Sequence, residues 1–313
     1  MPNTPRLRIA LLGLGDIAEK AYLPLMTARE DVQPVLCTRD RPTLHRLARQ
    51  YRIADAHASP EDLIASRPDA VMIHAATAAH PELLRTILHA EIPVFVDKPV
   101  ADSLEATEEL VTLARSRAVP LFVGFNRRYA PLVAKLKQQG QPQQISWQKN
   151  RVAQPGPART FLFDDFIHVV DGLCFLGGPP RDGFSVHTHS GKQGLANVQV
   201  RWRHGDCLLT GGMNRDSGRT EERIELYTPG HTWRVRELDT GTHFTNDQVA
   251  ELGFGNWTPT LEKRGFVAML DDWIRTVRTG SQPKGYLDGV LETHRICERI
   301  VEDTRTNWRQ AIR

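Results

Sequence analysis

A chain of 313 residues, 40% hydrophobic and 25% charged, has room for two globular domains of roughly 100–200 residues each and no tract biased enough for disorder. A net charge of +3, scattered rather than striped, argues against a nucleic-acid partner. No apolar run approaches the ~18 residues of a membrane span, and the opening Met1-Pro2-Asn3-Thr4-Pro5-Arg6 lacks the apolar core of a signal peptide. Cys37, Cys174, Cys207 and Cys297 are far apart, with no C-x-x-C pair, which argues against zinc and redox motifs and fits reduced thiols in a cytoplasm.

Arg8-Ile9-Ala10-Leu11-Leu12 reads as a buried strand that breaks at Gly13, and Gly13-Leu14-Gly15-Asp16-Ile17-Ala18 then opens a helix. This is the G-x-G-x-x-G/A arrangement. The first glycine makes the turn, the second lets backbone approach a pyrophosphate, and a small third residue lets helix and strand pack closely. An ordinary glycine-rich turn is the bland alternative. The strand before and helix after favour a dinucleotide site, with Gly13, Gly15, Asp16 and Ile17 as its candidates. Pro24 interrupts the first helix and predicts a break near Tyr22. The second strand is Val32 to Cys37. A NAD-selective protein places an acid at its tip, about 20 residues past the glycines, for the ribose 2′-hydroxyl. Here the chain reads Cys37-Thr38-Arg39-Asp40-Arg41. Thr38 and Arg39 suit a 2′-phosphate, which favours NADP(H) over NAD(H). Solvated loop arginines and an inward swing of Asp40 are the alternatives.

Residues 44–51 read as helix, and Ser59-Pro60-Glu61-Asp62-Leu63 starts another with a serine cap and proline at its first position. Asp69-Ala70-Val71-Met72-Ile73-His74-Ala75 is the fourth strand. Its loop, Thr77-Ala78-Ala79-His80-Pro81, lies beside the crevice where ligands bind off the carboxyl ends of a doubly wound sheet. Thr77 and His80 are candidates for the dinucleotide, and His80 is equally a structural cap. The fifth strand ends in Asp97-Lys98-Pro99: a lysine at a buried strand tip, with an acid to hold its ammonium and a proline to fix the backbone. A helix over 103–117 and the strand Pro120-Leu121-Phe122-Val123-Gly124 complete a parallel sheet of βαβ units.

The spaced set Gly13-Leu14-Gly15-Asp16-Ile17-Ala18, Thr77-x-x-His80, Asp97-Lys98-Pro99 and Gly124-Phe125-Asn126-Arg127-Arg128-Tyr129-Ala130-Pro131 resembles the Gfo/Idh/MocA oxidoreductases, the relatives of glucose–fructose oxidoreductase and inositol dehydrogenase. The resemblance covers nearly the whole chain and is greatest to the MviM-like members. Those members share the Asp-Lys-Pro form and the Asn-Arg-Arg run; the usual motif of the wider family is Glu-Lys-Pro, shortened here by one methylene at Asp97, with the lysine and proline kept. The resemblance implies an α/β protein. A Rossmann doubly wound parallel sheet over 1–124 would precede an α/β domain over 125–313 with an open, mainly antiparallel sheet. That sheet often mediates oligomers, so a homodimer or homotetramer is expected.

After Pro131 a short helix, a strand over 144–149 and the loop Gln154-Pro155-Gly156-Pro157 are expected. Residues 161–176 read as a helix on which Asp164 and His168, four apart, share a face. An exposed ion pair is the bland alternative. The apolar flank of Phe163, Phe166, Val170 and Phe175 argues against it, because unpaired acids are costly to bury there. The family carries a catalytic Asp and His four apart on a helix in this region, which implies those roles for Asp164 and His168. Asp165 is expected to face substrate and Asp171 to be structural. Strands follow to about residue 238, with period-two alternation in 194–202 and 223–227 and turn signals at Gly183, Gly191, Gly205 and Pro229-Gly230. Gly253-Phe254-Gly255-Asn256-Trp257 is a loop that either edges the substrate pocket or buries its tryptophan. Residues 261–278 read as helix, and a long helix over 287–307 is expected to pack back on the first domain. His187, His189, His204 and His231 are expected at the surface or an edge, and no metal site is expected.

These residues predict a cytoplasmic NAD(P)-dependent dehydrogenase that moves a hydride between nicotinamide and a carbinol or carbonyl carbon of a small sugar- or inositol-like molecule. His168, with an unperturbed pKa of about 6.5, would be the general acid/base. Asp164 would orient it, and Lys98 would hydrogen-bond the reacting oxygen. Asn126, Arg127 and Asp165 are the substrate-binding candidates, while Arg128 reads as a structural ion-pair partner. A non-catalytic NAD(P)-binding regulator and a reductase of a C=N or conjugated substrate are the rival readings. The first has no use for Lys98, Asp164 and His168.

Overall fold

The structure, a computed structural model, describes residues 5–311, with side chains through residue 304. Residues 1–4 of the Met1–Arg6 opening, read above as lacking a signal core, lie outside the described residues. Two compact units emerge, one from the chain up to Gly124 together with Met269–Leu287, the other from Phe125–Ala268 and the chain from Asp288 onward.

The first unit is built on six parallel strands: β1 (Leu7–Leu12), β2 (Val32–Cys37), β3 (Ala56–His57), β4 (Ala70–Ile73), β5 (Val94–Val96) and β6 (Leu121–Val123), in the order β3-β2-β1-β4-β5-β6. This is the doubly wound order, whose ligand crevice lies off the carboxyl ends at the β1/β4 reversal. β4, β5 and β6 are buried at every residue, as expected of strands covered on both faces. Asp40, Ser59 and Ser103 cap the helices that follow them, each side chain accepting a backbone N–H three residues on. The break expected near Tyr22 is a π turn, Ala18–Tyr22, running straight into the helix Leu23–Thr27 with Pro24 in its first turn. The wider turn absorbs a residue that has no N–H, so the helix stays continuous. Part of the helix Phe266–Thr279, assigned from sequence to the second domain, belongs to this unit: Trp273 lies 5.9 Å from Phe95 and 5.8 Å from Phe122, ring to ring.

The second unit holds an eight-stranded sheet: β7 (Gln144–Asn150), β8 (Ser185–Gly191), β9 (Gly194–His204), β10 (Cys207–Asn214), β11 (Glu221–Thr228), β12 (His231–Arg236), β13 (Thr240–Thr245) and β14 (Gln248–Leu252). Its order is β14-β13-β12-β11-β7-β10-β9-β8, antiparallel except where β7 lies parallel to β10. Along β7 the period of two puts Ile145, Trp147 and Lys149 on one buried face. The helix Ile167–Gly177 packs there, and a Cβ on Gly172 would overlap the Trp147 ring.

Strands run past residue 238 because Asn246 and Asp247, at φ 49° and 57°, turn β13 back into β14. Two consecutive left-handed residues are the hairpin geometry that matches strand twist. The helix expected over 261–278 is split at Gly265 (φ 81°), where the backbones of Asn126 and Ala130 leave no room for a Cβ. His187 and His189 are exposed on the edge strand β8. His231 is exposed too, yet has company that sequence reading overlooked, since its Nδ1 lies 3.0 Å from Nε2 of His243. No group of three or more metal-ligating side chains occurs among the described residues, and none of their helices is long and apolar enough to cross a membrane.

Candidate active site

Off the carboxyl ends of β1, β2 and β4 lies a cavity of about 690 Å³, lined by Gly13, Gly15, Thr38 and Arg39 among others. Gly13 sits at φ 88°, and a Cβ there would come within 2.5 Å of the Ala75 nitrogen, so only glycine lets β1 and the loop after β4 approach this closely. A Cβ on Gly15 would meet nothing within 4 Å, which leaves its backbone open to the cavity. The Asp40 carboxylate is already in use. It accepts from the Thr43 N–H at 3.4 Å and from the Thr43 hydroxyl at 2.7 Å. Thr43, Ser59, Glu61 and Glu82 also line the cavity and were not singled out from sequence. The side chains of Asp16 and Ile17 do not line it; Asp16 instead pairs with Lys20 at 2.7 Å on the exposed face of the first helix. Thr77 is half-buried in the turn Thr77–Ala79, where Ala75, Ala76 and Ala79 form the cavity wall.

His80 is a brace for the neighbouring strand tip. Its buried ring places Nδ1 2.8 Å from the Pro99 carbonyl and Nε2 3.0 Å from the Ala75 carbonyl. The loop after β4 is thereby tied to Asp97-Lys98-Pro99, where the Lys98–Pro99 peptide is cis. Asp97 accepts a 3.1 Å hydrogen bond from the Tyr22 hydroxyl. Burial pushes its carboxyl up, against the charge of Lys98. Tyr22 in turn stacks on His74, ring centroids 3.9 Å apart, and burial drives that imidazole down to about 3. Both His74 ring nitrogens are buried without a hydrogen-bond partner. Tyr22 and His74 went unread in the sequence because both sit where an ordinary apolar residue would serve the core.

In the second unit the substrate-binding candidates are engaged within the protein. Asn126 donates to the Arg264 carbonyl at 2.8 Å. Arg127 forms a bidentate pair with Glu222, at 2.8 and 2.9 Å, with both side chains under 10% exposed. Arg128 makes the structural pair expected of it, with Asp171. Asp165 lies in a π turn, Leu162–Phe166, that interrupts the expected helix. It faces the sheet: Lys149 donates to Oδ1, and Arg151 donates to both oxygens at 2.9 and 3.0 Å. Burial raises its carboxyl, but Lys149 and Arg151 outweigh that and hold it well below the usual carboxylate range. Its expected position facing substrate therefore gives way to an ion-pair role, because period-two alternation aims Lys149 straight at it. Asp164, one residue earlier, is half-buried, and His168 in the following helix is 7% exposed. π turns recur at functional sites.

Residues 7–125 match the oxidoreductase family with an NAD-binding Rossmann fold, Gfo/Idh/MocA, and residues 131–246 match the YceM-like C-terminal domain. Over 317 residues the chain is 32% identical to the protein named putative oxidoreductase YceM of Salmonella typhimurium, covering 98% of each protein. It is 26% identical over 308 residues to a myo-inositol 2-dehydrogenase of Thermotoga maritima, covering 88% of this chain and 90% of that one. A solved structure of a Gfo/Idh/MocA family oxidoreductase from Vibrio cholerae superposes with a TM-score of 0.92 at 37% identity, over 96% of this chain and 99% of that one.

Proposed function

Because the chain belongs to the Gfo/Idh/MocA oxidoreductase family, we propose that it is an NADP(H)-preferring dehydrogenase acting on a carbinol carbon of a small polyhydroxylated substrate. The observation that carries this reading is the cavity walled by Gly13 and Gly15, within the ~300–1,000 Å³ range of cofactor and ligand sites. The open space beside Gly15 fits a dinucleotide. Bound nicotinamide supplies the hydride chemistry. Preference for a 2′-phosphate is supported by Thr38 and Arg39 on the cavity wall; Asp40 lines the same wall, with its carboxylate bonded to Thr43. Asp16 and Ile17 are left the backbone role that a helix N-terminus offers an anion.

Lys98, braced through Pro99 and Asp97, donates a hydrogen bond to the substrate oxygen that gains negative charge. His168 exchanges the hydroxyl proton, and Asp164 holds its ring in the productive tautomer. Sugar- and inositol-like substrates are supported by relatives named as a myo-inositol 2-dehydrogenase and a D-glucoside 3-dehydrogenase. The test is a fluorescence titration of NADPH against NADH, followed by a screen of sugars and inositols for reduced-nicotinamide absorbance. Tighter NADPH binding is expected, by on the order of tenfold for one Arg–phosphate pair. Turnover that falls by at least two orders of magnitude in Lys98→Met and His168→Asn, with nucleotide affinity retained, is also expected. Failure to bind either dinucleotide would overturn the reading.

A further inference from the structure

Between the π turn Leu162–Phe166 and the sheet, the second unit holds more positive charge than it neutralises. Among the described residues, four cations, Arg127, Lys149, Arg151 and Arg215, gather around two carboxylates, Asp165 and Glu222. The register explains the crowding: Glu222 of β11 lies directly opposite Lys149 of β7, while Arg151 and Arg215 sit just beyond the ends of β7 and β10.

Both carboxylates are fully used. Asp165 accepts from Lys149 and Arg151, and Glu222 accepts from Arg127 and, at 3.1 Å, from the Trp147 indole. Of the outer acids, Glu221 pairs with Arg223 at 3.5 Å and Glu237 with Arg219 at 3.9 Å, and Glu237 also acts on Arg151 from a distance. Arg215 is left short. Its Nε is buried without a hydrogen-bond partner, its Nη2 reaches Asp165 only at 3.5 Å, and its guanidinium is pinned over the Phe161 ring at 5.0 Å. Burial first, and then the charge of Arg127, push the Lys149 ammonium down to about 7. Arg151, with 31% of its side chain exposed, gives the cluster an opening to solvent.

We propose that this cluster binds the anionic group of the substrate, so that the substrate class is an acidic sugar carrying a carboxylate or a phosphate, held by Arg215 and Arg151. A fixed, partly desolvated guanidinium with unused donors is the arrangement that recognises planar or tetrahedral oxyanions. A bound anion also relieves the cost of burying surplus positive charge. The inference rests on the dehydrogenase reading for the word substrate, since Asp164 and His168 flank Asp165 on the same stretch of chain.

The test is calorimetric binding of D-glucuronate, D-galacturonate, D-glucose 6-phosphate, inorganic phosphate, D-glucose and D-galactose to the full chain, as wild type, Arg215→Gln and Arg151→Gln, each checked for folding by circular dichroism. At least tenfold tighter binding of a charged sugar than of its neutral counterpart is expected, lost in Arg215→Gln and weakened in Arg151→Gln. The tighter of the carboxylate and phosphate sugars names the group. Neutral sugars binding as well as charged ones, charged sugars binding no better than inorganic phosphate, or two folded variants binding like wild type would each overturn it. Turnover of neutral sugars without anion affinity would sink this inference and keep the dehydrogenase. Arginine-dependent anion binding without turnover of any sugar would do the reverse.

Discussion

Replacing Arg127 separates a structural role from substrate contact. Glu222 is 6% exposed, and burial alone would raise its pKa; Arg127, Lys149 and the hydrogen bonds hold it down at about 2. Arg127→Met leaves that carboxylate with the Trp147 indole and an indirect attraction to Lys149. Removing one partner of a buried pair costs about 3–5 kcal/mol. Glu222→Leu strands Arg127 and costs a similar amount, whereas the double variant removes both charges and is expected to lose only about 1–2 kcal/mol. The cycle should then show a coupling well above the ~0.5 kcal/mol of independent sites. Urea unfolding followed by tryptophan emission reads it, since Trp147 donates to the same carboxylate. The pH dependence carries a sign. In the wild type a depressed carboxyl contributes stability that is complete above about 4.5 and lost as pH falls towards about 2. In Arg127→Met burial raises the carboxyl instead, and protonation relieves the lone charge, so the deficit should shrink as pH falls from 7 to 5. Single variants that each cost under about 1 kcal/mol and add would refute the buried pair. An Arg127→Met protein of full stability but weakened sugar affinity would return Arg127 to the substrate.

Gly13→Ala should abolish measurable dinucleotide affinity in a fluorescence titration, because the new Cβ meets the Ala75 backbone and the residue keeps a left-handed φ. Arg39→Ser should bring NADPH and NADH affinities to within about twofold of each other by removing the proposed Arg39–phosphate pair. Gly172→Ala should lower the melting temperature by several degrees, about 2 kcal/mol of overpacking against the Trp147 ring, with nucleotide affinity unchanged. Lys149 is driven down from 10.5 to about 7, so the unfolded chain binds more protons between those values and stability should rise with pH across that window. A Lys149→Met variant should lack this slope in urea titrations at pH 7, 8 and 9.

The first unit was legible because each of its signals is local. A glycine pair after an apolar run, a Ser-Pro helix start and a lysine at a strand tip each act within a few residues, and the buried β4, β5 and β6 carry continuous apolar runs that no other element type explains at that length. What escaped there is also instructive. The proline at residue 24 signals a break, because a proline removes one hydrogen bond; the neighbouring π turn redistributes the others. The hairpin at Asn246-Asp247 was passed over because the Asn-Gly and Asp-Gly pairs are the stronger turn signal, although two residues that tolerate positive φ suffice.

The charged cluster of the second unit was hidden by its non-locality. Gln144 to Asn150 alternates so that Lys149 falls on the same face as Ile145 and Trp147, and Glu221 to Leu226 places Glu222 on the face of Ile224 and Leu226. Each stretch alone reads as a strand with one misplaced charge. Only the register, which sets Glu222 against Lys149, shows that the two exceptions answer each other. The same reasoning corrects Asp165. Helical spacing aligned Asp164 with His168, but no spacing along one helix can report which neighbour already carries cations for the adjacent acid. Inward-facing charges on two strands of one sheet are therefore a pairing signal, and a cation beside such a pair whose donors stay unmet, such as Arg215, is where a ligand should be sought.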